Sequence, residues 1–396
     1  TSLATFQTVR SMNAIYLDHN ATTPVHPDVL EAMLPLLKED FGNPSSTHSR
    51  GRSARVKMDE AREQVAALIH ADAREIVFTS GGTESDNLAI LGAARALRDK
   101  GRHIVTARVE HPAVLNACLE LQKEGFVIDY APVDEFGRVR LDGLEALISD
   151  ETVLITIQSA NSEVGTLQPI AAIGEIARDR EILFHTDAVQ SAGKVPLDVK
   201  EVPVDLLSLS SHKLYGPKGV GALYVRRGLP QLVPLIVGGG QEKKRRGGTE
   251  NLPGIAGFGR AAELAAGDLE QEAERLRQLK RRLRDGVSSL QGVRFFGHPD
   301  ESLPNTLNLG FEGVDGQTLM IRLDLDQIYV STGTACSSGS VLPSDVLTAM
   351  GMPEEQMRQS IRISFGRSNG TEDVERVAEA LVRIVTDIRE KQRMAS

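Results

Sequence analysis

The chain is short of cysteine, of basic charge and of long apolar runs, and each shortage closes off a class of protein. Only Cys118 and Cys336 occur among its 396 residues. Two cysteines make no disulfide framework, which points to a reducing compartment. They are also too few for a structural zinc site unless histidine or carboxylate ligands join them. The net charge of −9 argues against direct nucleic-acid binding, because a phosphate backbone is held by a basic surface. The one basic cluster, Lys243-Lys244-Arg245-Arg246, reads as a solvated loop. No apolar stretch reaches the length of a membrane span. Residues 1–11, ahead of Met12, hold no signal-peptide apolar run; they are expected to be an added leader, with a transit-peptide remnant as the alternative. A cytoplasmic protein is the expectation. Also missing are the P-loop pattern Gly-Lys-Ser/Thr, the GxGxxG dinucleotide pattern, internal repeats and low-complexity tracts.

What is present is an ordinary globular composition, 41% apolar and 25% charged, in a chain long enough for two domains. Strand-like runs fall at 76–79, 103–107, 127–131, 153–158, 182–185, 204–209 and 220–225. Helical patterns separate most of them, at 86–100, 112–124, 141–148 and 171–178. Helices are also expected at 27–38 and 54–69, flanking a Gly/Pro/Ser/Asn-rich loop over 41–52. Alternating strands and helices argue for an α/β fold with a mostly parallel sheet covered on both faces. The texture changes after Gly238-Gly239-Gly240. Asp268, with Gln271 as capping-box partner, is expected to start a long helix whose apolar face is Leu269, Ala273, Leu276, Leu279, Leu283 and Val287. Strands near 306–310 and 360–364 and helices near 317–323 and 372–390 follow. The expected division is a large α/β domain over 24–266 and a smaller α+β domain from 12–23 and 267–396.

The chemistry gathers at the ends of the strand-like runs. Between 204–209 and 220–225 sits Ser208-Leu209-Ser210-Ser211-His212-Lys213, then a Gly-Pro turn. A lysine amine forms Schiff bases, and its pKa falls readily on burial, so Lys213 is the candidate attachment point for an aldehyde cofactor. By itself it would read as a solvated turn lysine. Ser80-Gly81-Gly82-Thr83 opens a helix, and glycines there expose backbone N–H groups suited to one phosphate, although such a pair is often only a turn. His111, held before Pro112, either stacks on a flat ring or caps the helix. Asp187 closes a buried apolar run and needs a partner: a core salt bridge or a protonated pyridine nitrogen, which would make the ring an electron sink. A phosphate nest, a stacking histidine, a pyridinium partner and a Schiff-base lysine together make the inventory for pyridoxal 5′-phosphate.

Cys336 lies in Ser331-Thr332-Gly333-Thr334-Ala335-Cys336-Ser337-Ser338-Gly339-Ser340, among small flexible residues rather than the apolar neighbours of Cys118. A free exposed thiol has a pKa near ~8.5 and holds some thiolate at neutral pH. Cys336 is therefore a candidate nucleophile, the alternative being a tolerated surface cysteine.

On these residues the chain resembles the cysteine desulfurases of the NifS/IscS type, within the class V, fold-type I pyridoxal-phosphate enzymes. The resemblance spans about residues 14–390. It rests on Tyr16-Leu17-Asp18, Asn20-Ala21-Thr22-Thr23, Asn43-Pro44-Ser45-Ser46, Gly81 through Asn87, Glu110-His111, His185-Thr186-Asp187-Ala188 with Gln190, Ser210 through Gly219, Gly247-Gly248-Thr249, the Cys336 stretch, and Arg362 through Arg367.

The resemblance implies that Lys213 carries the cofactor and moves the substrate proton, that His111 is catalytic too, stacking on the ring and assisting proton transfers, and that Asp187 keeps the ring nitrogen protonated. It implies that Gln190 bonds the phenolic oxygen and that Gly82, Thr83, Ser210 and His212 hold the phosphate. Thr249 would reach over from the other subunit of a homodimer. Arg362, with Asn20, would bind the carboxylate of L-cysteine. The Cys336 thiolate would take the sulfur as a persulfide, releasing L-alanine, and a mobile loop would deliver it to an acceptor protein. One departure stands out: where the family has Asn-Asn-Glu-x-Gly, this chain has Asn161-Ser162-Glu163-Val164-Gly165. Ser162 thus replaces a cofactor-contacting Asn, and a weakened or water-bridged contact is expected. The same scaffold supports class V aminotransferases, kynureninase-like hydrolases and selenocysteine lyases, and a non-catalytic assembly scaffold is the reading from another class. A transaminase needs no Cys336; intact Lys213, Asp187 and Cys336 speak against a mere scaffold.

Overall fold

A computed structural model of the chain describes residues 14–332, 336–337, 340–341 and 344–395. The leader expected over residues 1–11 and the side chain of Cys336 lie outside the described residues.

Seven short runs rich in Val, Ile and Leu form one sheet: β1 (Ile76–Thr79), β2 (His103–Ala107), β3 (Val127–Ala131), β4 (Thr152–Thr156), β5 (Leu183–Asp187), β6 (Leu206–Ser210) and β7 (Gly221–Val225). Their order across the sheet is β1-β7-β6-β5-β4-β2-β3, all parallel except β7, which runs antiparallel to both neighbours. Every residue of β1, β2, β4, β6 and β7 is buried. This is why they read as continuous apolar runs rather than alternating ones. Helices Gly82–Leu97, Pro112–Lys123, Leu141–Leu147 and Ile170–Asp179 carry the chain between strands. The core behind the sheet includes Phe78, Phe184, Leu207 and Phe258, and truncating a phenylalanine such as Phe184 to alanine would cost about 3–5 kcal/mol.

Two helix starts differ from the sequence expectation. The helix expected at 86–100 begins at Gly82, because the glycine pair supplies its first turn instead of a preceding loop. The helix expected at 54–69 runs Ser49–Leu68, with His48 Nδ1 accepting from Gly51 N at 3.3 Å. A helix with no counterpart in the sequence reading, Leu252–Gly267, lies against Ser49–Leu68 and Pro27–Lys38. Its glycines argue against helix on propensity, yet a Cβ on Gly259 would come within 2.6 Å of Ala61 Cα. Close packing of two helices is what the small residue permits.

A second core forms around an antiparallel sheet, Val293–Phe296, Thr306–Phe311 and Ser360–Ser364, with Thr306–Phe311 in the middle. Helices Leu269–Val287 and Thr371–Ala395 pack beside each other over it. The first helix buries Ala273, Leu276, Leu279, Leu283 and Val287, the face that its periodicity marks. Ile15 and Leu17 join this core, and Ile15–Tyr16 pairs with Ile328–Tyr329. The expected Asp268–Gln271 capping box does not form. Asp268 precedes the helix without a side-chain cap bond, because its carboxylate takes both ends of the Arg367 guanidinium, at 2.5 and 2.8 Å.

Candidate active site

Parallel strands of an open sheet deliver their following loops to one edge, where ligands bind. Here β2 leads to Glu110-His111, β4 to 157–162, β5 ends on Asp187, and β6 leads into Ser211–Lys213. Because β7 is antiparallel to both neighbours, β1 runs parallel to β6, and its glycine turn reaches the same edge.

A cavity of about 400 Å³ opens there, lined by Gly82, Thr83, Ser210 and His212 among others. The Gly82–Leu97 helix points its N-terminus into this region, and free N–H groups with the helix dipole favour an anion. A Cβ on Gly82 would meet Val189 at 2.8 Å, so the backbone itself forms the cradle. Ser80 N donates to Glu84 Oε2 at 2.8 Å, and Glu84 pairs with Arg246 at 2.9 Å, bracing the turn. The basic cluster is accordingly not simply a solvated loop. Its preceding Glu242 holds Arg62 at 2.6 Å, and Lys243 Nζ donates to Arg74 O at 2.9 Å. Three consecutive left-handed residues, Glu242, Lys243 and Lys244, make the turn between them.

Lys213 Nζ donates to the carbonyls of Asn20 and Ala21, the latter at 2.8 Å. Burial, with the Arg362 charge nearby, lowers its pKa to about 8, against the opposing pull of Asp187 and Asp18. Asp187 is buried at the end of β5 and accepts from Val189 N at 2.9 Å. Burial raises its pKa, while His111 and Lys213 pull it down. His111 takes the capping reading in the structure: Nδ1 accepts from Ala113 N at 3.1 Å, capping Pro112–Lys123. That cap needs an unprotonated Nδ1, in keeping with a pKa that desolvation lowers. His212 has its Nδ1 3.1 Å from the Thr22 hydroxyl, and burial followed by the Lys213 charge lowers its pKa to about 4.

Arg362 places Nη2 2.6 Å from Asp18 Oδ1 and donates from Nη1 to the Ser162 carbonyl at 3.2 Å. Its Nε is buried with no partner among the described residues, so the guanidinium retains capacity for a carboxylate. Asn20 is placed differently from its expected side-chain role. Its side chain is committed to the Ser162 carbonyl, Thr306 and Asn305, and its own carbonyl faces Lys213 and Gln190. Ser162 likewise contributes its carbonyl to Asn20 and Arg362. Thr249 is exposed and lines a separate cavity with Phe78 and Arg246, not the one containing Thr83.

Three groups near the site escaped sequence reasoning. Asp86, on the helix that follows the glycines, is buried behind Asp187; burial and the Asp187 charge hold its carboxyl well above the usual range. Glu163 Oε2 accepts from Ser344 Oγ at 2.8 Å, and burial raises its pKa to about 7. Lys194 Nζ donates to Gln190 Oε1 at 3.2 Å. Asp86 and Glu163 lie inside motifs already marked without a role of their own, and Lys194 stands four residues after a marked glutamine.

These residues fit pyridoxal phosphate. A buried carboxylate without a full counter-charge suits a protonated ring nitrogen. A glycine cradle at a helix N-terminus suits the phosphate, and a lysine of lowered pKa stands where an aldehyde can be captured.

The profile of the aminotransferase class-V family matches residues 15–377. A protein described as cysteine desulfurase IscS from Methanosarcina thermophila is 50% identical over 376 residues, covering 95% of this chain and 93% of that protein. A solved structure described as a NifS-like protein superposes with a TM-score of 0.88 at 40% identity, covering 95% of this chain and 99% of the other. Another, SspA in complex with cysteine, gives 0.78 at 39% identity over 89% of this chain and 98% of its own.

Proposed function

The chain belongs to the class-V aminotransferase family and is a pyridoxal-phosphate-dependent cysteine desulfurase, and from that premise we propose how its residues divide the work. The observation that carries the proposal is Lys213 itself, an amine of lowered pKa held by the Asn20 and Ala21 carbonyls and influenced by both Asp187 and Arg362.

Gly82, Thr83, Ser210 and His212 hold the phosphate, His111 covers the ring, Asp187 binds the protonated ring nitrogen, and Gln190 addresses the phenolic oxygen. Ser162 contributes its carbonyl to the frame around Asn20 and Arg362. When bound, the cofactor supplies an electron sink for the substrate's α-carbon. Arg362 binds the carboxylate of L-cysteine in competition with Asp18, while Asn20 holds Lys213 through its carbonyl. Lys213 Nζ accepts the α-proton and returns one. The Cys336 thiolate forms a new S–S bond to the substrate sulfur as the carbon–sulfur bond breaks. The electron pair stays with the carbon fragment, which takes up protons and leaves as L-alanine.

In this reading residues 24–266 form the cofactor-binding domain, and 12–23 with 267–396 form the smaller one bearing Cys336. The enzyme works as a cytoplasmic homodimer whose Thr249 reaches the other subunit's phosphate, and an acceptor protein takes the persulfide sulfur. The two-cysteine composition supports the reducing compartment. Among the described residues no helix is long and apolar enough to cross a membrane.

The test is incubation of the purified protein with L-cysteine and a reductant, measuring alanine and sulfide together, beside Cys336→Ala. Equal yields, both abolished in the variant, are expected. Alanine formation that survives Cys336→Ala would remove the persulfide step. Turnover of an amino-group acceptor in place of sulfide release would favour the aminotransferase reading.

A further inference from the structure

Gln190 and Lys194 form a contact that the reaction scheme leaves unused. Gln190 is buried, its Nε2 donating to the Asn20 carbonyl at 3.0 Å and its Oε1 accepting from Lys194 Nζ at 3.2 Å. The two ends of a glutamine amide are nearly the same shape, so its orientation is decided by what each end meets. An ammonium has three donors and no acceptor. A flipped amide would set its NH₂ against that ammonium and its oxygen against the Asn20 carbonyl, losing both bonds and adding two repulsions. The same Asn20 carbonyl accepts from Lys213. The NH₂ end of Gln190 is thereby held next to the lysine that carries the cofactor.

We propose that Lys194 is a positioning residue, fixing the Gln190 amide so that its NH₂ rather than its oxygen is offered to the cofactor's phenolic oxygen. The inference rests on the reading of Gln190 as the group that addresses that oxygen. A donor there stabilises the oxygen as an anion, and a carbonyl would repel it. Lys194 stands in expensive surroundings for an ammonium. Lys213 and Arg362 add like charge, His19 and His212 lie within its field, and burial pushes its pKa down to about 7. An amine kept in such a place needs an acceptor, and among the described residues Gln190 Oε1 is the one it meets. The ammonium form enforces the orientation, and where the amine loses its proton and gains a lone pair the Asn20 carbonyl still favours the NH₂ end.

The experiment is a pH titration of the visible absorption of the cofactor-loaded enzyme, with pyridoxal phosphate affinity measured on the stripped protein. Parent, Gln190→Leu, Lys194→Met, Lys194→Gln and Lys194→Arg are compared. Gln190→Leu is expected to shift the titration, and Lys194→Met to shift it in the same direction by at least half as much. Affinity should fall about two- to tenfold, the worth of one hydrogen bond. Lys194→Arg, a donor without an acceptor, should titrate like the parent; Lys194→Gln, which accepts either amide orientation, should not. If Lys194→Met fails to fold or load, the Arg and Gln pair decides. A shift in Gln190→Leu with none in Lys194→Met, or an Arg variant as altered as Met, overturns the role of Lys194 while leaving Gln190 in place. No shift in Gln190→Leu overturns the reading of Gln190 and this inference with it.

Discussion

The two sides of the active site differ in charge type, carboxyls on one and amines, an imidazole and a guanidinium on the other. On the sheet side stand Asp187, Asp86 and Glu110, all buried and all with raised pKa values, burial being the largest cause. On the other side Lys213, Lys194 and His212 have lowered values, again mainly through burial, and Arg362 adds a guanidinium. Acids that resist ionising face bases that resist protonation. A ligand positive at its ring nitrogen and negative at its phosphate, phenolic oxygen and carboxylate is the complement of that arrangement.

Removing the central cation should have the largest effect. In the proposed scheme Lys213→Ala would lose both the attachment point and the proton carrier, and alanine production should fall about 10⁴-fold, the upper range for acid–base catalysis, in a steady-state assay. Next, in the same scheme Asp187→Asn would leave a ring cation without its counter-charge. Breaking a buried pair costs about 3–5 kcal/mol, so turnover should drop by about two to four orders of magnitude. A loss under tenfold would break the symmetry drawn above. Arg362→Ala should act mainly on KM for L-cysteine, raising it about ten- to a hundredfold for a lost charged hydrogen-bond pair.

The stripped protein offers a pH test. An amine with its pKa depressed to about 8 is increasingly unprotonated as pH rises toward that value. The rate of yellow-band formation on adding pyridoxal phosphate should therefore climb about tenfold per unit below pH 8 and then level off. A climb that continues toward pH 10 would mean an ordinary lysine. The smallest effect is expected at Asp86. Burial and the Asp187 charge push its carboxyl well above the usual range, towards the neutral form, which the amide of Asp86→Asn imitates, and activity should stay within a few-fold of the parent.

How much of this the sequence reveals depends on range. Five of the seven strands are legible because they are short, largely apolar runs buried along their whole length, and Lys213, Asp187 and the glycines are legible because they stand at the ends of such runs. The Leu252–Gly267 helix is not, since Gly259 follows from a helix–helix contact with Ala61 almost 200 residues away and Gly257 from one with Met33. Asp268 was expected to cap its own helix, yet a partner 99 residues distant, Arg367, captures its carboxylate. Asn20 illustrates the same limit within the site. Its side chain is absorbed by Thr306 and Asn305, and a backbone carbonyl, invisible to any residue pattern, faces the lysine.

The sheet order carries a consequence for the order of events during synthesis. β1, which bears the glycine turn, sits at the sheet's edge and pairs only with β7, Ile76 lying opposite Tyr224 about 150 residues later in the chain. Contacts this distant in sequence form slowly, and the ribosome delivers the later strand last. Until residue 225 has emerged, the strand that bears the glycine turn has no partner in the sheet. Nascent fragments ending before β7 should therefore fail to retain the cofactor.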